Sequence, residues 1–244
     1  MFYLALDTSS QSLSLALMQG EDLLAELTTN TQIKHSRQLL PLLASLMEQL
    51  DYKYEDLEAV VVSRGPGSYT GLRIGATVAK MLAWTLRIPL YSVDSLALLA
   101  SSLGPVPGLV LSVFDARRGN VFGGAFRWQG EQLQAIRESQ HAPLDVWLPE
   151  VIQSLPAELP ITLLAPDLSR LRTYMDAVML AEIRGRLVGQ ETVLRAPEMA
   201  ALPWQREDEM TFKPAYLKLA EAEERWLGEH PEADLGANYV ERME

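Results

Sequence analysis

The sequence predicts an α/β protein of two lobes, each a mixed β-sheet with flanking helices, the second lobe being reduced. The elements before residue 104 follow the order βββαβαβα, which places helices on a mixed sheet. A stretch rich in proline and glycine, Gly104–Gly108, follows them and is the best domain boundary in the chain. We therefore predict an N-terminal lobe at residues 1–104 and a C-terminal lobe at residues 105–244.

A repeated pattern supports the division into two lobes. Asp7 follows the apolar strand Phe2–Leu6, and Asp115 follows the apolar strand Leu109–Phe114 in the same way. Each of these strands is then followed by a predicted meander of further strands. This repetition indicates an internal structural duplication.

Hydrophobic periodicity places the elements of the first lobe. Its strands are apolar or alternating runs, and its helices repeat leucine or small residues at helical spacing. In chain order we predict strands at Phe2–Leu6, Ser12–Met18 and Leu23–Thr28, a helix at Lys34–Leu50, a strand at Ala59–Val62, a helix at Gly71–Arg87, a strand at Leu90–Val93 and a helix at Ser95–Ser102.

The second lobe is predicted in the same way. After Leu109–Phe114 we predict strands at Asn120–Trp128 and Gln132–Ser139, a helix at Leu144–Ser154 and a strand at Ile161–Leu164. A terminal helix at about residues 216–227 is predicted to return to the first lobe.

The glycine-rich stretch Gly65–Arg73 joins a buried strand to the most apolar helix of the chain. It is not a P-loop, because Leu72 and Arg73 stand where a lysine and a hydroxyl residue would meet phosphates. It is not a nucleophile elbow, because Ser68 lacks glycines two residues away on either side. Ser68 is better explained as a turn or helix-capping residue.

The helix after this stretch needs more cover than one sheet provides. Its three charges, Arg73, Lys80 and Arg87, are seven residues apart and share one narrow stripe, and small residues at every fourth position form a ridge where a second helix could approach closely. A well-packed internal helix is the alternative. The predicted partner-binding residues are Leu39, Leu40, Leu43 and Met47 of the first helix and Gly71, Leu72, Arg73, Gly75, Ala79, Lys80 and Ala83 of the second.

Composition excludes several classes of protein. The chain has no cysteine, which excludes disulfides, thiolate metal sites and cysteine nucleophiles and favours a cytoplasmic location. The net charge of −11 argues against a nucleic-acid-gripping surface. The first residues lack the pattern of a signal peptide, and no apolar run reaches the ~20 residues of a membrane span.

Four motifs carry a family resemblance. They are Leu6–Ser9, His35–Ser36 with Leu40–Pro41, Arg64–Gly75 and Asp115–Gly119. Together they resemble the bacterial TsaB (YeaZ) family over nearly the whole chain, most strongly in the first lobe. The resemblance implies a degenerate member of the actin, hexokinase and Hsp70 superfamily, with a two-lobed actin-like (ribonuclease H-like) fold.

The resemblance also implies a function. Such proteins pair with the TsaD subunit in making threonylcarbamoyladenosine at position 37 of tRNA, form homodimers through the same first-lobe helices, and are joined by a TsaE ATPase. It implies that this chain is not an enzyme by itself and meets tRNA only through the complex. No cofactor is expected on this chain, since ATP and metal are expected on the partner subunits.

Parts of an active enzyme are missing from the sequence. A metal-binding paralogue would carry a second histidine four residues after His35, where Leu39 stands, so we predict no metal ligands and no catalytic residues. Vestigial phosphate-binding turns are predicted at Asp7, Thr8 and Ser9 and at Asp115 and Arg118. In the second turn, the large side chains of Arg117 and Arg118 bind an anion, pair with the acidic surface or remain as exposed charges at the strand end.

Two enzymatic alternatives remain. The first is a small-molecule kinase or ATPase of the actin-like fold, in which Asp7 or Asp115 positions magnesium. The second is a metallopeptidase, which ranks last because the sequence supplies no set of metal ligands.

Overall fold

The structure, a computed structural model, describes residues 1–30, 35–154, 159–175 and 187–218. Within them, eleven strands form two sheets flanked by five α-helices. The helices are α1 (His35–Gln49), α2 (Tyr69–Leu86), α3 (Ser95–Ser101), α4 (Leu144–Gln153) and α5 (Leu168–Arg172), with 3₁₀ helices at Tyr54–Asp56 and Ala196–Ala201.

The first sheet has six strands in the order β11-β5-β4-β1-β2-β3. They are β1 (Phe2–Asp7), β2 (Leu13–Gln19), β3 (Asp22–Thr29), β4 (Ala59–Gly65), β5 (Leu90–Asp94) and β11 (Gln205–Glu207). The second sheet has five strands in the order β10-β9-β6-β7-β8. They are β6 (Leu109–Asp115), β7 (Asn120–Gln129), β8 (Gln132–Pro143), β9 (Ile161–Ala165) and β10 (Leu187–Glu191).

The two sheets share one topology. In each, the first three strands form an antiparallel meander, and the first strand also runs parallel to the fourth, which runs parallel to the fifth. The predicted duplication and the prediction of mixed sheets with flanking helices are therefore confirmed. Asp7 and Asp115 end the central strand of each sheet.

Three apolar clusters hold these layers together. The first lies between the first sheet and helices α1 and α2, and the third lies between the second sheet and helices α4 and α5. The middle cluster joins the two sheets through α3 and the 3₁₀ helix Ala196–Ala201. Because it takes in Tyr3 from β1 and Phe126 from β7, the two lobes share a buried core.

The end of the chain differs from the prediction. β11 pairs antiparallel with β5, so the chain returns to the first sheet at Gln205–Glu207, before the predicted terminal helix. Residues 216–218 are not helical, and the rest of that predicted helix lies outside the described residues. Within the described part of the chain, no helix is long and apolar enough to cross a membrane.

Candidate functional site

The turn after β1 is buried. Asp7, Thr8 and Ser9 are each at most 1% exposed. Asp7 Oδ1 accepts hydrogen bonds from the Ser9 backbone N–H, at 3.2 Å, and from the Ser63 hydroxyl of β4. These bonds tie the turn to the neighbouring parallel strand.

The electrostatics of Asp7 follow from this burial. Desolvation raises the pKa of Asp7 above its usual value, although the hydrogen bonds from Ser63 and Ser9 and the nearby charge of His35 act in the opposite direction. Asp7 Oδ2 and His35 Nδ1 are buried and have no hydrogen-bond partner among the described residues. The Nε2 of His35 donates to the Ser10 carbonyl at 3.0 Å, since a carbonyl can only accept.

The glycine-rich stretch lies directly on this turn. The Ser68 backbone N–H donates to the Ser9 carbonyl at 2.7 Å, and a Cβ on Gly67 would lie 2.3 Å from the same oxygen. The Thr8 hydroxyl donates to the Gly71 carbonyl at 2.8 Å. The groups predicted to bind phosphate therefore hold the chain's own glycine loop in place.

The ridge of small residues on α2 packs inside the chain. A Cβ on Gly71 would lie 2.0 Å from the Thr8 carbonyl oxygen, and a Cβ on Gly75 would lie 2.4 Å from the Thr8 hydroxyl oxygen. Ala79 and Ala83 are buried in the cluster beneath α2. This corrects the prediction that the ridge receives a helix of a partner. The small residues of the ridge instead pack closely against the turn after β1 and against the first sheet.

The predicted partner-binding residues thus fall into two groups. Those buried within the chain are Leu39, Leu43, Met47, Gly71, Leu72, Gly75, Ala79 and Ala83; Leu40 and Arg73 are exposed and Lys80 is partly exposed. In this folded chain, only the second group can touch a partner directly.

Arg73 and Lys80 have contacts within the chain. The Lys80 ammonium donates to the carbonyls of Met210 and Phe212, at 3.1 and 3.0 Å, so it fastens the C-terminal segment across α2. The Arg73 guanidinium stacks on the ring of Tyr69, 4.3 Å from its centre, and donates to the Tyr216 hydroxyl at 3.1 Å. The sequence predicted both as partner-binding residues and did not indicate that they contact the C-terminal segment.

The sequence-based set missed two exposed apolar residues on α2. Met81 is 45% exposed and Trp84 is 64% exposed, and Leu40 of the neighbouring helix α1 is 46% exposed. Thr77, Met81 and Trp84 are separated by four and three residues, so they share the face of α2 that points away from the sheet. The signal was available, because apolar residues lie on the same side of α2 as its predicted charged stripe.

We call Leu40, Thr77, Met81 and Trp84 the docking face. Helices α1 and α2 lie side by side on the first sheet, with their inner residues in one apolar cluster. The outer sides of the two helices carry exposed apolar side chains, Leu40 on α1 and Met81 and Trp84 on α2. Exposed apolar residues grouped in this way mark interaction sites more often than scattered ones do.

The turn after β6 is built differently from the turn after β1. Asp115 Oδ1 accepts from the Arg117 backbone N–H at 2.7 Å, and Arg117 and Arg118 adopt positive φ values of 69° and 54°. Both arginine side chains are exposed. Asp115 therefore stabilises its own turn.

The possibility of a metal site is limited by the residues available. Among the described residues, no group of three or more histidine, aspartate or glutamate side chains is arranged to hold a metal ion. His35 lies at the start of α1 and donates to a backbone carbonyl.

Comparison with known proteins shows strong similarity to one group. Residues 23–173 match the family model described as "TsaD: tRNA N6-adenosine threonylcarbamoyltransferase". The tRNA threonylcarbamoyladenosine biosynthesis protein TsaB of Bacillus subtilis (strain 168) is 36% identical over 229 residues, which cover 93% of this chain and 98% of that relative. The TsaB of Escherichia coli (strain K12) is 30% identical over 141 residues, which cover 54% of this chain and 61% of that relative.

Solved structures share the fold. YeaZ from Pseudomonas aeruginosa superposes with a TM-score of 0.70 at 21% identity, covering 88% of this chain and 99% of that one. A second structure, of an uncharacterized protein with similarity to peptidase YEAZ from the same organism, gives a TM-score of 0.73 at 22% identity, covering 89% and 99%. With the repeated sheet topology described above, this confirms the predicted two-lobed actin-like fold.

Proposed function

The chain belongs to the TsaB (YeaZ) family, and we propose that it acts in tRNA threonylcarbamoyladenosine synthesis as the non-catalytic subunit that pairs with a catalytic TsaD-like subunit. The observation that carries the proposal is the docking face on α1 and α2. Its largest member, Trp84, is 64% exposed although it belongs to a helix whose other side is fully packed.

The chemistry of the docking face suits a protein partner. Tryptophan is among the residues that contribute most to protein interfaces, because its large apolar surface is desolvated on binding. Methionine adapts its shape to a partner surface, so Met81 beside Trp84 adds contact area without demanding one geometry. Leu40 adds an exposed apolar side chain on the neighbouring helix α1.

A non-catalytic role is supported by how the chain uses its polar turns. Thr8 and Ser9 bond the chain's own glycine loop, and Asp115 bonds its own turn. Groups engaged in this way are not arranged around an open phosphate site. In this proposal ATP and metal are bound by partner subunits, and this chain carries neither.

The proposal extends to the other partners. The docking face also serves a second copy of this chain, so homodimer and heterodimer compete for one surface. A TsaE-like ATPase joins the assembly, and tRNA is gripped by other subunits, because a chain with a net charge of −11 repels phosphate.

The test is the affinity of the purified chain for its TsaD-like partner, measured by calorimetric titration. Truncation of an interface tryptophan commonly costs at least about 2 kcal/mol, or roughly thirtyfold in affinity. We expect Trp84→Ala to weaken binding by that amount and Met81→Ala by less. Both variants should keep the thermal midpoint of the wild type, because these side chains are exposed.

The matched control is Val146→Ala on α4 of the second lobe, which is 48% exposed and lies outside the docking face. It should leave affinity unchanged. Wild-type affinity in both Trp84→Ala and Met81→Ala would reject the docking face as the interface. Tight magnesium-dependent binding of ATP by the isolated chain would instead favour the kinase or ATPase alternative.

A further inference from the structure

A cavity of about 410 Å³ lies between the two sheets. Its walls come from β4, β5 and α3 of the first lobe, the hairpin β7–β8 of the second, and the C-terminal segment between residues 202 and 217. It is on the opposite side of the first sheet from the docking face, because α3 and the middle cluster occupy that side. Its volume is within the range of small-molecule sites, about 300–1,000 Å³.

A β-bulge in the first sheet places a charged residue at this cavity. β4 and β5 pair at Ser63 with Val93 and next at Gly65 with Asp94, so Arg64 is an extra residue without a partner in the ladder. Arg64 and Asp94 both line the cavity. Bulges are frequent next to functional sites because they redirect a side chain.

A second bulge, in the second sheet, borders the same cavity. Between successive pairs, β7 advances from Gly123 to Ala125 while β8 advances three residues, from 140 to 137. Neighbouring residues of a regular strand point to opposite faces. Here Glu138 and Ser139 both line the cavity, which is what the extra residue of the bulge allows.

The first carboxylate of the cavity is held firmly. Asp94 caps α3, its Oδ1 accepting from the backbone N–H groups of Leu96 and Ala97 at 2.8 and 2.9 Å. Burial raises the pKa of Asp94, while these two hydrogen bonds, the side chain of Ser139 and the charge of Arg64 act against that rise. The carboxylate is thus fixed in position before any ligand arrives.

The cavity has an excess of negative charge. Arg64 is its one cation among the described lining residues, and it already donates to Gln205 and lies 3.9 Å from the carboxylate of Glu207. The lining therefore carries two carboxylates, Asp94 and the exposed Glu138, against one guanidinium, which already pairs with a third carboxylate outside the lining. Ser139 also lines the cavity, and its hydroxyl lies close enough to Asp94 to favour the ionised form of that carboxylate.

The remaining wall of the cavity is apolar. Phe126 and Leu133 of the second lobe and Leu202 of the C-terminal segment are at most 7% exposed and line it. A few converging polar groups beside an apolar wall are the usual composition of a ligand site.

We propose that this cavity binds a small molecule that carries a positively charged amine beside an apolar body. The amine is bound by Asp94 and Glu138, and the apolar body packs on Phe126 and Leu133. This inference is independent of the proposed partner docking, which uses the other side of the sheet.

The test uses two probes of similar shape and opposite charge, phenethylamine and 3-phenylpropionate, with binding to the full chain followed by saturation-transfer NMR and titration. We expect millimolar or tighter binding of phenethylamine and at least tenfold weaker binding of 3-phenylpropionate. Glu138→Gln and Asp94→Asn should each weaken phenethylamine binding roughly tenfold or more, since each removes a charged hydrogen-bond partner. Asparagine still caps a helix, so Asp94→Asn should remain folded.

The control is Glu150→Gln on α4, which makes the same change of charge at an exposed position outside the cavity lining. It should bind phenethylamine as the wild type does. The proposal is overturned if phenethylamine does not bind at millimolar concentration, if both probes bind equally, or if the two cavity variants retain wild-type affinity.

Discussion

Gly71→Ala tests whether the ridge of α2 packs on its own lobe. The added Cβ would lie 2.0 Å from the Thr8 carbonyl oxygen, whereas ordinary contact between heavy atoms needs about 3.5 Å. The start of α2 would have to move by about 1.5 Å. That movement would loosen the 2.8 Å hydrogen bond from the Thr8 hydroxyl to the Gly71 carbonyl and the packing of Ala79 beneath the helix.

The magnitude follows from three contributions. Overpacking a filled site costs about 1–3 kcal/mol, and a weakened buried hydrogen bond adds about 0.5–1.5 kcal/mol. Replacing glycine by alanine in a helix returns at most about 1 kcal/mol. We therefore expect the free energy of unfolding to fall by about 2 kcal/mol, and the thermal midpoint by about 4–8 °C for a chain of this length.

The assay is urea and thermal unfolding followed by circular dichroism. Thr85→Ala is the control, because Thr85 lies on the same helix, is exposed and is outside the docking face, so only helix propensity changes and stability should stay equal or rise slightly. A Gly71→Ala protein with full stability that had lost only its affinity for the TsaD-like partner would refute this reasoning. Such a result would mean that the small residues of α2 contact the partner, as the sequence analysis predicted.

Three further predictions concern buried charge, an ion pair between elements and the C-terminal segment. Asp7→Asn should raise the stability of the chain at pH 7, because burial raises the folded-state pKa of Asp7 and so penalises its ionised form. The gain shrinks as pH falls through the folded-state pKa and disappears below the unfolded value. Arg195→Met should lower the free energy of unfolding by only about 1 kcal/mol at pH 7, because the ion pair of Arg195 with Glu26 is partly screened by solvent. The pKa of Glu26 is lowered in the folded state, so the ion pair stabilises the chain above the unfolded pKa of Glu26. This stabilisation is lost as pH falls through the folded-state pKa. Lys80→Met should raise amide exchange at residues 210–212 about tenfold, since two hydrogen bonds that hold the segment are lost.

The first two are measured as urea midpoints between pH 3 and pH 8, and the third by hydrogen exchange with mass spectrometry. An Asp7→Asn protein less stable than the wild type at pH 7 would contradict the cost assigned to the buried charge. For the ion pair, Glu26→Gln combined with Arg195→Met should cost no more than either change alone; additive costs would mean that the two residues act separately. Unchanged exchange at residues 210–212, with α2 equally protected in both proteins, would show that Lys80 does not hold the segment.

Local pattern determined most of the fold. Continuous apolar runs such as Val60–Val62 are typical of strands covered on both faces, and β4 is buried as expected. The repeat of an apolar strand followed by aspartate indicated the duplication that the matching sheet orders confirm. Ser68 was predicted to cap a helix, and its hydroxyl accepts from the Gly71 backbone N–H at 3.3 Å. These features depend on neighbours in sequence, which is why sequence alone was sufficient for them.

Only the tertiary structure decided which side of a helix is packed and which distant segments of the chain contact each other. The small residues of α2 predicted that another part of the protein packs closely against this helix. Their spacing did not indicate whether that part is a partner helix or the turn at Thr8. The sequence places Trp84 on the side of α2 that carries the charged stripe, but only the structure shows that its side chain is 64% exposed.

The cavity between the sheets is the clearest case of this limit. Arg64, Glu138 and the C-terminal segment are far apart in the chain, and they meet because two β-bulges and the return of β11 to the first sheet bring them together. Hydrophobic periodicity records which side of an element is buried. It does not record which distant element buries it, because that choice is made by the packing of the whole chain.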